Sequence, residues 1–320
     1  MKKIVITGAA GFIGSTLSKK LSNSNRIIAL DSTEGVDEAA DYYFIKVDLT
    51  NFDSVSAIIE KYIPDVIIHC AGIAHQKVGS LDSDTYLRVN SYATEALARV
   101  AAGVNPSVKF IFLSSVSVYG EYSGGKPLSE DSPCLPSSDY AISKLDAEKR
   151  LLALYRNSIL HDLMILRLAP VYDRNWSLNL NRRVFFPKHV AYVKFGTGMQ
   201  QMSALAKQNL VEFIEYTIKS SGSSKSSVIM NICDERPYEF STIIDVFKRS
   251  AVHGARPVVH VPLFWVWLAV RVTGVFIPSK RNWLHSCYDK LACSLVYDNK
   301  KMLATGFLPR HSLRTVFLNE

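Results

Sequence analysis

The chain has 320 residues, 48% of them hydrophobic and 21% charged, with a formal net charge of +8. That composition excludes a disordered or fibrous chain and leaves room for one α/β domain with a smaller appended lobe. Five scattered cysteines (Cys70, Cys134, Cys233, Cys287, Cys293) lack C-x-x-C spacing, which reads as reduced thiols in a cytoplasmic protein, with no metal site and no disulfide framework. The first apolar run is too short for a signal h-region and enters a glycine-rich turn, so no secretion signal is expected. Residues 1–150 hold 15 Lys/Arg against 18 Asp/Glu, whereas residues 151–320 hold 22 against 11. A basic second half suits a diphosphate substrate or an anionic membrane surface, and equally a merely well-solvated one. The basic residues form no run and carry no nucleic-acid motif, which argues against nucleic acid.

In chain order, short apolar runs at 3–7, 26–30, 43–47, 66–70 and 109–114 alternate with amphipathic stretches at 13–21, 54–62 and 86–102. Apolar runs of that length between helices predict a parallel sheet covered on both faces. Right-handed crossovers then give a Rossmann-type doubly wound α/β fold, with its crevice at the carboxyl ends of the strands. A Ser-rich stretch at 220–227 reads as a surface loop, and 228–233 reads as a strand returning to the sheet. The expected division is a dinucleotide-binding domain over 1–167 with that return strand, and a mainly substrate-binding lobe over 168–320.

The first strand runs directly into Gly8-Ala9-Ala10-Gly11-Phe12-Ile13-Gly14 and a helix. Glycines there let the backbone turn tightly and approach a pyrophosphate, which sits on the free N–H groups of the helix terminus. Asp31 ends the second strand, 17 residues after Gly14. A carboxylate at that place accepts hydrogen bonds from the adenosine ribose and repels a 2′-phosphate, which favours NAD over NADP; the bland alternative is a turn aspartate. Asp48-Leu49 follows the third apolar run and is read, less specifically, as bracketing the adenine.

Ser115 lies at the end of the 109–114 run, and Tyr140-Ala-Ile-Ser-Lys144 begins 25 residues later. Tyr140 and Lys144 are an i, i+4 pair, so a helix would present both on one face. With Ser115 they make a proton-transfer group, in which the Lys144 charge and an oxidised nicotinamide would lower the phenol's pKa. Tyr140 would act as base or acid at a sugar hydroxyl, with Ser115 holding the same oxygen.

These segments (the glycine turn, His69-Cys-Ala-Gly72, Asn90, Ser114-Ser-Val-Ser-Val-Tyr-Gly120 and Tyr140-Ala-Ile-Ser-Lys144) resemble the extended short-chain dehydrogenase/reductase, NAD-dependent epimerase/dehydratase family over the first 170 residues. The resemblance implies Ser115, Tyr140 and Lys144 as catalytic residues. It implies Gly8, Gly11, Phe12, Ile13, Gly14, Asp31, Asp48, Leu49, Ala71, Gly72, Asn90, Tyr140 and Lys144 as cofactor contacts. Sugar dehydratases of the family carry an acidic pair directly after the catalytic Ser or Thr; Val116 and Ser117 stand there instead, which argues against dehydration. The later chain is similar, more loosely, to nucleotide-sugar C4-epimerases and 4-keto-sugar reductases of bacterial polysaccharide synthesis.

Two departures from that pattern stand out. Asp173-Arg174 replaces a usual Gly-Pro, and 199–207 lacks the arginine that commonly grips the diphosphate, leaving Arg182, Arg183 and Lys207 as substitutes. The expected activity is C4 epimerisation of a UDP-hexose or UDP-N-acetylhexosamine by a homodimer with retained NAD. A 4-keto-sugar reductase and an epimerase of a polyprenyl-diphosphate-linked sugar are the alternatives, and a non-catalytic dinucleotide sensor ranks last. The strongly apolar stretch 258–278 reads first as a buried helix of the second lobe. Its second reading is a peripheral contact at the inner membrane surface, with Trp265 and Trp267 at headgroup level and Arg271, Lys280 and Arg281 beside anionic lipid.

Overall fold

The computed structural model describes residues 1–34, 42–74, 81–120, 125–220 and 228–320, so all but the first residue of the Ser-rich stretch lies outside the described residues. Two compact units divide the chain. The first comprises Met1–Val118, Cys134–Arg167 and Ile214–Met230, the second Tyr119–Pro133, Leu168–Phe213 and Asn231–Glu320.

Seven strands form the central sheet: β1 (Lys3–Thr7), β2 (Arg26–Asp31), β3 (Tyr43–Lys46), β4 (Val66–His69), β5 (Lys109–Ser115), β6 (Asp162–Leu168) and β7 (Ile229–Ile232). Their order is β7-β6-β5-β4-β1-β2-β3, and β1 pairs in parallel with both β2 and β4. The order reverses direction at β1, which creates the switch point where ligands of such sheets bind. Ile4, Val5 and Ile6 are fully buried, as continuous apolar strands covered on both faces should be.

Helices α1 (Gly14–Ser22), α2 (Phe52–Tyr62), α3 (Ala93–Val104) and α4 (Asp139–Arg156) provide the cover. Asn51 caps α2 through Ser54 N, and Ser138 caps α4 through Ala141 N, each satisfying an amide that the first helical turn leaves open. Leu97, Ala98 and Ala101 of α3 and Ala147, Leu151 and Leu154 of α4 pack into one core with Val5, Ile67 and Phe110.

The stretch 86–102, expected as helical, is helical throughout but not regular. A short helix (Ser83–Leu87) passes into a wide turn at Arg88–Tyr92 before α3 begins, with the Ala93 N–H bonded to the Arg88 carbonyl. Such one-turn π-type bulges concentrate at functional sites.

Among the described residues the second unit contains three small strand pairs: Val171–Tyr172 with Leu205–Ala206, Gln201–Met202 with Tyr238–Glu239, and Tyr192–Phe195 with Val258–Val261. Helix α5 (Lys207–Lys219) starts in this unit, and α6 (Phe240–Arg249) lies wholly within it. Phe240, Ile243, Ile244 and Phe247 of α6, at helical spacing, pack with Tyr172, Tyr192 and Phe317. Asp234 joins this unit together: its carboxylate accepts from Tyr172, Tyr238, Asn209 and the Ala206 amide at 2.7–2.8 Å.

The reading of 258–278 as a buried helix is overturned. Val258–Val261 is a strand, and α7 (Leu263–Phe276), followed by α8 (Arg281–Ala292), buries only Gly274 among its fourteen residues. Among the described residues no helix is long and apolar enough to cross a membrane.

Candidate active site

The glycine turn leaves β1 with Gly8 at a φ of +67°, and the Gly8 carbonyl accepts from Gly11 N at 3.1 Å. Helix α1 then stacks so closely that a Cβ on Gly14 would lie 2.1 Å from the Gly8 oxygen. No side chain caps α1 at Ile13. A turn this tight, ending in an uncapped helix, fits the pyrophosphate of a dinucleotide. Asp31 holds the turn's shape: one carboxylate oxygen accepts from Ala10 N at 2.9 Å, the other from the Thr33 amide and hydroxyl. The aspartate is thus a turn residue and a ribose candidate at once, since a carboxylate has about four acceptor sites. Asp48 is exposed and forms a local turn with Thr50, while Leu49 belongs to the buried core. Phe12 and Ile13 are half-buried.

At the end of β5 the Ser115 hydroxyl oxygen accepts from the Ser117 amide at 3.2 Å and from the Ser117 hydroxyl at 2.9 Å. Ser115 therefore keeps its own proton to donate, and its hydroxyl is close enough to Tyr140 to act on that phenol's pKa. Ser117 went unnoticed in the sequence except as a missing acid; the signal available was a third hydroxyl two residues after the catalytic serine. Burial raises the Tyr140 phenol above its ordinary pKa, and the nearby Ser115 hydroxyl pulls it back in part. The expected lowering by Lys144 does not occur in the protein alone. The Lys144 ammonium is directed elsewhere, donating to the Leu113 carbonyl at 3.0 Å and lying 4.6 Å from the Phe112 ring centre.

Lys144 is buried, and that burial brings its pKa down to about 8, with Cys70 and Glu148 opposing the fall. At neutral pH it remains an ammonium. A Cβ on Gly72 would lie 3.2 Å from its Nζ and 3.1 Å from Asn90 Oδ1, so Gly72, Asn90 and Lys144 are immediate neighbours. Asn90, set on the wide turn, bonds both to Ile73 N and to Ile73 O and donates to Ser143 Oγ at 3.0 Å. Ala71 packs against the core, and its amide donates to Thr7 Oγ1.

Behind these residues runs a relay that the sequence reading treated only as part of a motif. Thr94 donates its hydroxyl to the Asn90 carbonyl, so its oxygen must accept from His69 Nε2 at 2.8 Å. His69 Nδ1 then accepts from Thr7 at 2.6 Å. Burial, aided by the Lys144 charge, brings the His69 pKa down to about 3 and keeps the imidazole neutral. Thr7 and His69 face each other in the β1–β4 register, so the relay ties two strand ends to α3. Beneath Ser115, the adjacent Ser114 donates to Glu148, which forms a fully buried ion pair with Arg167 at 2.7 Å.

In the second unit the two departures noted in the sequence answer each other. Asp173 and Lys207 form an ion pair at 2.5 Å, and Asp173 also accepts from the amides of Asn175 and Trp176. Arg183 donates to the Lys290 carbonyl at 2.7 Å, and Arg182 is exposed. Among the described residues no cluster could hold a metal ion.

On its own geometry the first unit is a Rossmann-type α/β fold that places Ser115 at a strand end near Tyr140, with Lys144 one turn further along α4. Residues 4–233 match the NAD dependent epimerase/dehydratase family, and the chain belongs to it. Its cofactor is NAD, as the family description states.

Among curated relatives, a UDP-glucose 4-epimerase from Vibrio cholerae is 30% identical over 218 residues, covering 67% of this chain and 65% of that protein. A second UDP-glucose 4-epimerase, from Mycolicibacterium smegmatis, is 34% identical over 180 residues, covering 52% of this chain and 55% of its own. A dTDP-glucose 4,6-dehydratase from Haemophilus influenzae is 29% identical over 176 residues, covering 49% of this chain and 52% of the relative. The chain thus spans between about half and two thirds of the length of these relatives.

Among solved structures, a Thermotoga maritima UDP-glucose 4-epimerase with UDP-glucose superposes with a TM-score of 0.73 at 21% identity, covering 98% of this chain and 96% of that one. A Bacillus cereus UDP-glucuronic acid 4-epimerase with NAD gives 0.72 at 20% identity, covering 98% and 95%. At that identity the likeness establishes the fold.

Proposed function

We propose that the chain is an NAD-dependent C4-epimerase of a UDP-hexose or UDP-N-acetylhexosamine, serving bacterial surface polysaccharide synthesis as a homodimer. The observation that carries this reading is the placement of Ser115 at the end of β5 within reach of Tyr140 on α4, with the buried Lys144 one helical turn further on and beside Gly72 and Asn90. The glycine turn, Asp31, Gly72, Asn90 and Lys144 would hold the cofactor. When bound, NAD supplies a hydride acceptor and donor and a positive charge that favours the phenolate. Tyr140 takes the proton of the sugar 4-hydroxyl and later returns it, while the Ser115 proton bonds the same oxygen. Epimerisation needs no net redox change, so a retained cofactor suffices.

Val116 and Ser117 support epimerisation over dehydration. Ser117 spends its hydroxyl on Ser115, and Val116 is buried, so neither position offers the acid that eliminates water. A 4-keto-sugar reductase is the second reading, supported by a dTDP-4-dehydrorhamnose reductase from Aggregatibacter actinomycetemcomitans that is 31% identical over 162 residues.

Proton NMR of the purified enzyme with UDP-N-acetylglucosamine or UDP-glucose, without added cofactor, tests the proposal. Appearance of the galacto product supports it. No conversion by NAD-loaded enzyme, together with reduction of a 4-keto sugar nucleotide by NADH, replaces it with the reductase. Light scattering tests the dimer.

A further inference from the structure

The second unit exposes an apolar surface that the sugar chemistry does not use. Helix α7 has fourteen residues and one charge, Arg271. Phe264 is 59% exposed, Trp265 60%, Val275 75% and Phe276 80%. Val272 is exposed as well, and the spacing 264/265, 272 and 275/276 puts these side chains along one face. Its other side packs on α8. A helix this apolar is ordinarily buried, and exposed patches of this kind mark a partner surface.

Charge identifies the partner. From residue 246 to residue 288 the sequence contains six Lys/Arg and no Asp or Glu. Arg271 on α7 and Arg281 at the start of α8 are exposed, and the Arg271 guanidinium lies 5.0 Å from the Trp267 ring centre. An aromatic and a cation one turn apart, beside an apolar face, suit the level where headgroups meet acyl chains. At about 1.5 Å per residue α7 is roughly 21 Å long, short of a hydrocarbon core of about 30 Å. It is therefore too short to span a bilayer.

We propose that α7 docks the enzyme onto an anionic phospholipid surface, with Phe264, Trp265, Val275 and Phe276 in the acyl boundary and Arg271 and Arg281 against the headgroup charge. This surface stands independently of the sugar chemistry, since vesicle binding is read whether or not the enzyme turns over.

Flotation of the full chain with phosphatidylcholine vesicles, with and without phosphatidylglycerol, tests the proposal. Binding to the anionic vesicles at low salt is expected, with a blue shift of the tryptophan emission. Arg271→Gln lowers the partition coefficient about fivefold, the effect of one interfacial cation. Phe264→Ser with Val275→Ser lowers it tenfold or more and leaves turnover of a soluble UDP-sugar and NAD retention unchanged. Leu308→Ser, at an exposed apolar position away from α7 in the sequence, changes nothing. Three results each overturn the proposal: a wild-type chain that stays unbound at low salt, equal partition onto neutral vesicles, or self-association that the Phe264→Ser, Val275→Ser variant abolishes. The last would assign the face to a second copy of the chain.

Discussion

Replacing Lys144 with methionine separates what the lysine does for chemistry from what it costs the fold. The side chain is 4% exposed, and its pKa falls from the ordinary 10.5 to about 8 because burial disfavours the ammonium. That displacement corresponds to about 3 kcal/mol of folded-state penalty at neutral pH, where both states carry the proton. Between the folded and the ordinary value the unfolded chain binds more protons, so wild-type stability rises with pH through that window and the penalty is gone above it. Methionine gives up the Leu113 hydrogen bond of an ammonium, about 1.5–3 kcal/mol, and the Phe112 ring contact, about 0.5–2 kcal/mol. Lys144→Met should therefore lie within about 2 kcal/mol of wild type at neutral pH, and should fall behind wild type by about 3 kcal/mol more above the ordinary lysine range. Urea unfolding of cofactor-free protein at the two pH values measures both quantities, while sugar turnover is lost. A stability gap between the two proteins that does not change with pH would refute the reasoning.

Ser117→Ala removes the hydroxyl donor to Ser115 and should lower kcat about fivefold, as loss of one hydrogen bond worth about 1 kcal/mol does. NAD retention should stay intact; a loss of retained NAD would make Ser117 structural. Gly14→Ala drives a methyl into the Gly8 carbonyl, so the purified protein should carry no NAD, read by absorbance of the denatured supernatant. Arg167→Met leaves Glu148 buried without its cation and should cost about 3–5 kcal/mol in urea unfolding. Replacing Glu148 as well with an apolar residue should restore much of that loss.

The sheet was legible because its strands are covered on both faces: the runs 3–7, 26–30 and 66–70 differ from β1, β2 and β4 by at most one residue. The Ser115, Tyr140 and Lys144 spacing was legible for a similar reason, since strand end and helix period fix where the side chains point. Other features depend on distant partners. The wide turn at Arg88–Tyr92 presents Asn90 to Ile73 and Ser143, which no local pattern in 86–102 encodes. The neutral His69 relay needs Thr7 and Thr94 from two other elements, although its position opposite Thr7 at a strand end was a usable hint. The Asp173–Lys207 pair looked like two unrelated departures because its partners lie thirty-four residues apart. Helix α7 was misread because an apolar run records only that water is unfavourable, and leaves open whether protein or lipid replaces it.

The hydrogen bond from the Ala10 amide to Asp31 has a consequence for how this enzyme could change its cofactor. A shift to a phosphorylated ribose asks that the carboxylate be replaced, yet the same carboxylate anchors the turn between β1 and α1. Any single substitution at Asp31 therefore alters two properties at once, and loosens the cradle in the act of admitting a new guest. Cofactor preference here is coupled to loop shape. A lineage or a designer would have to supply a new donor–acceptor pair at Ala10 before the specificity could move.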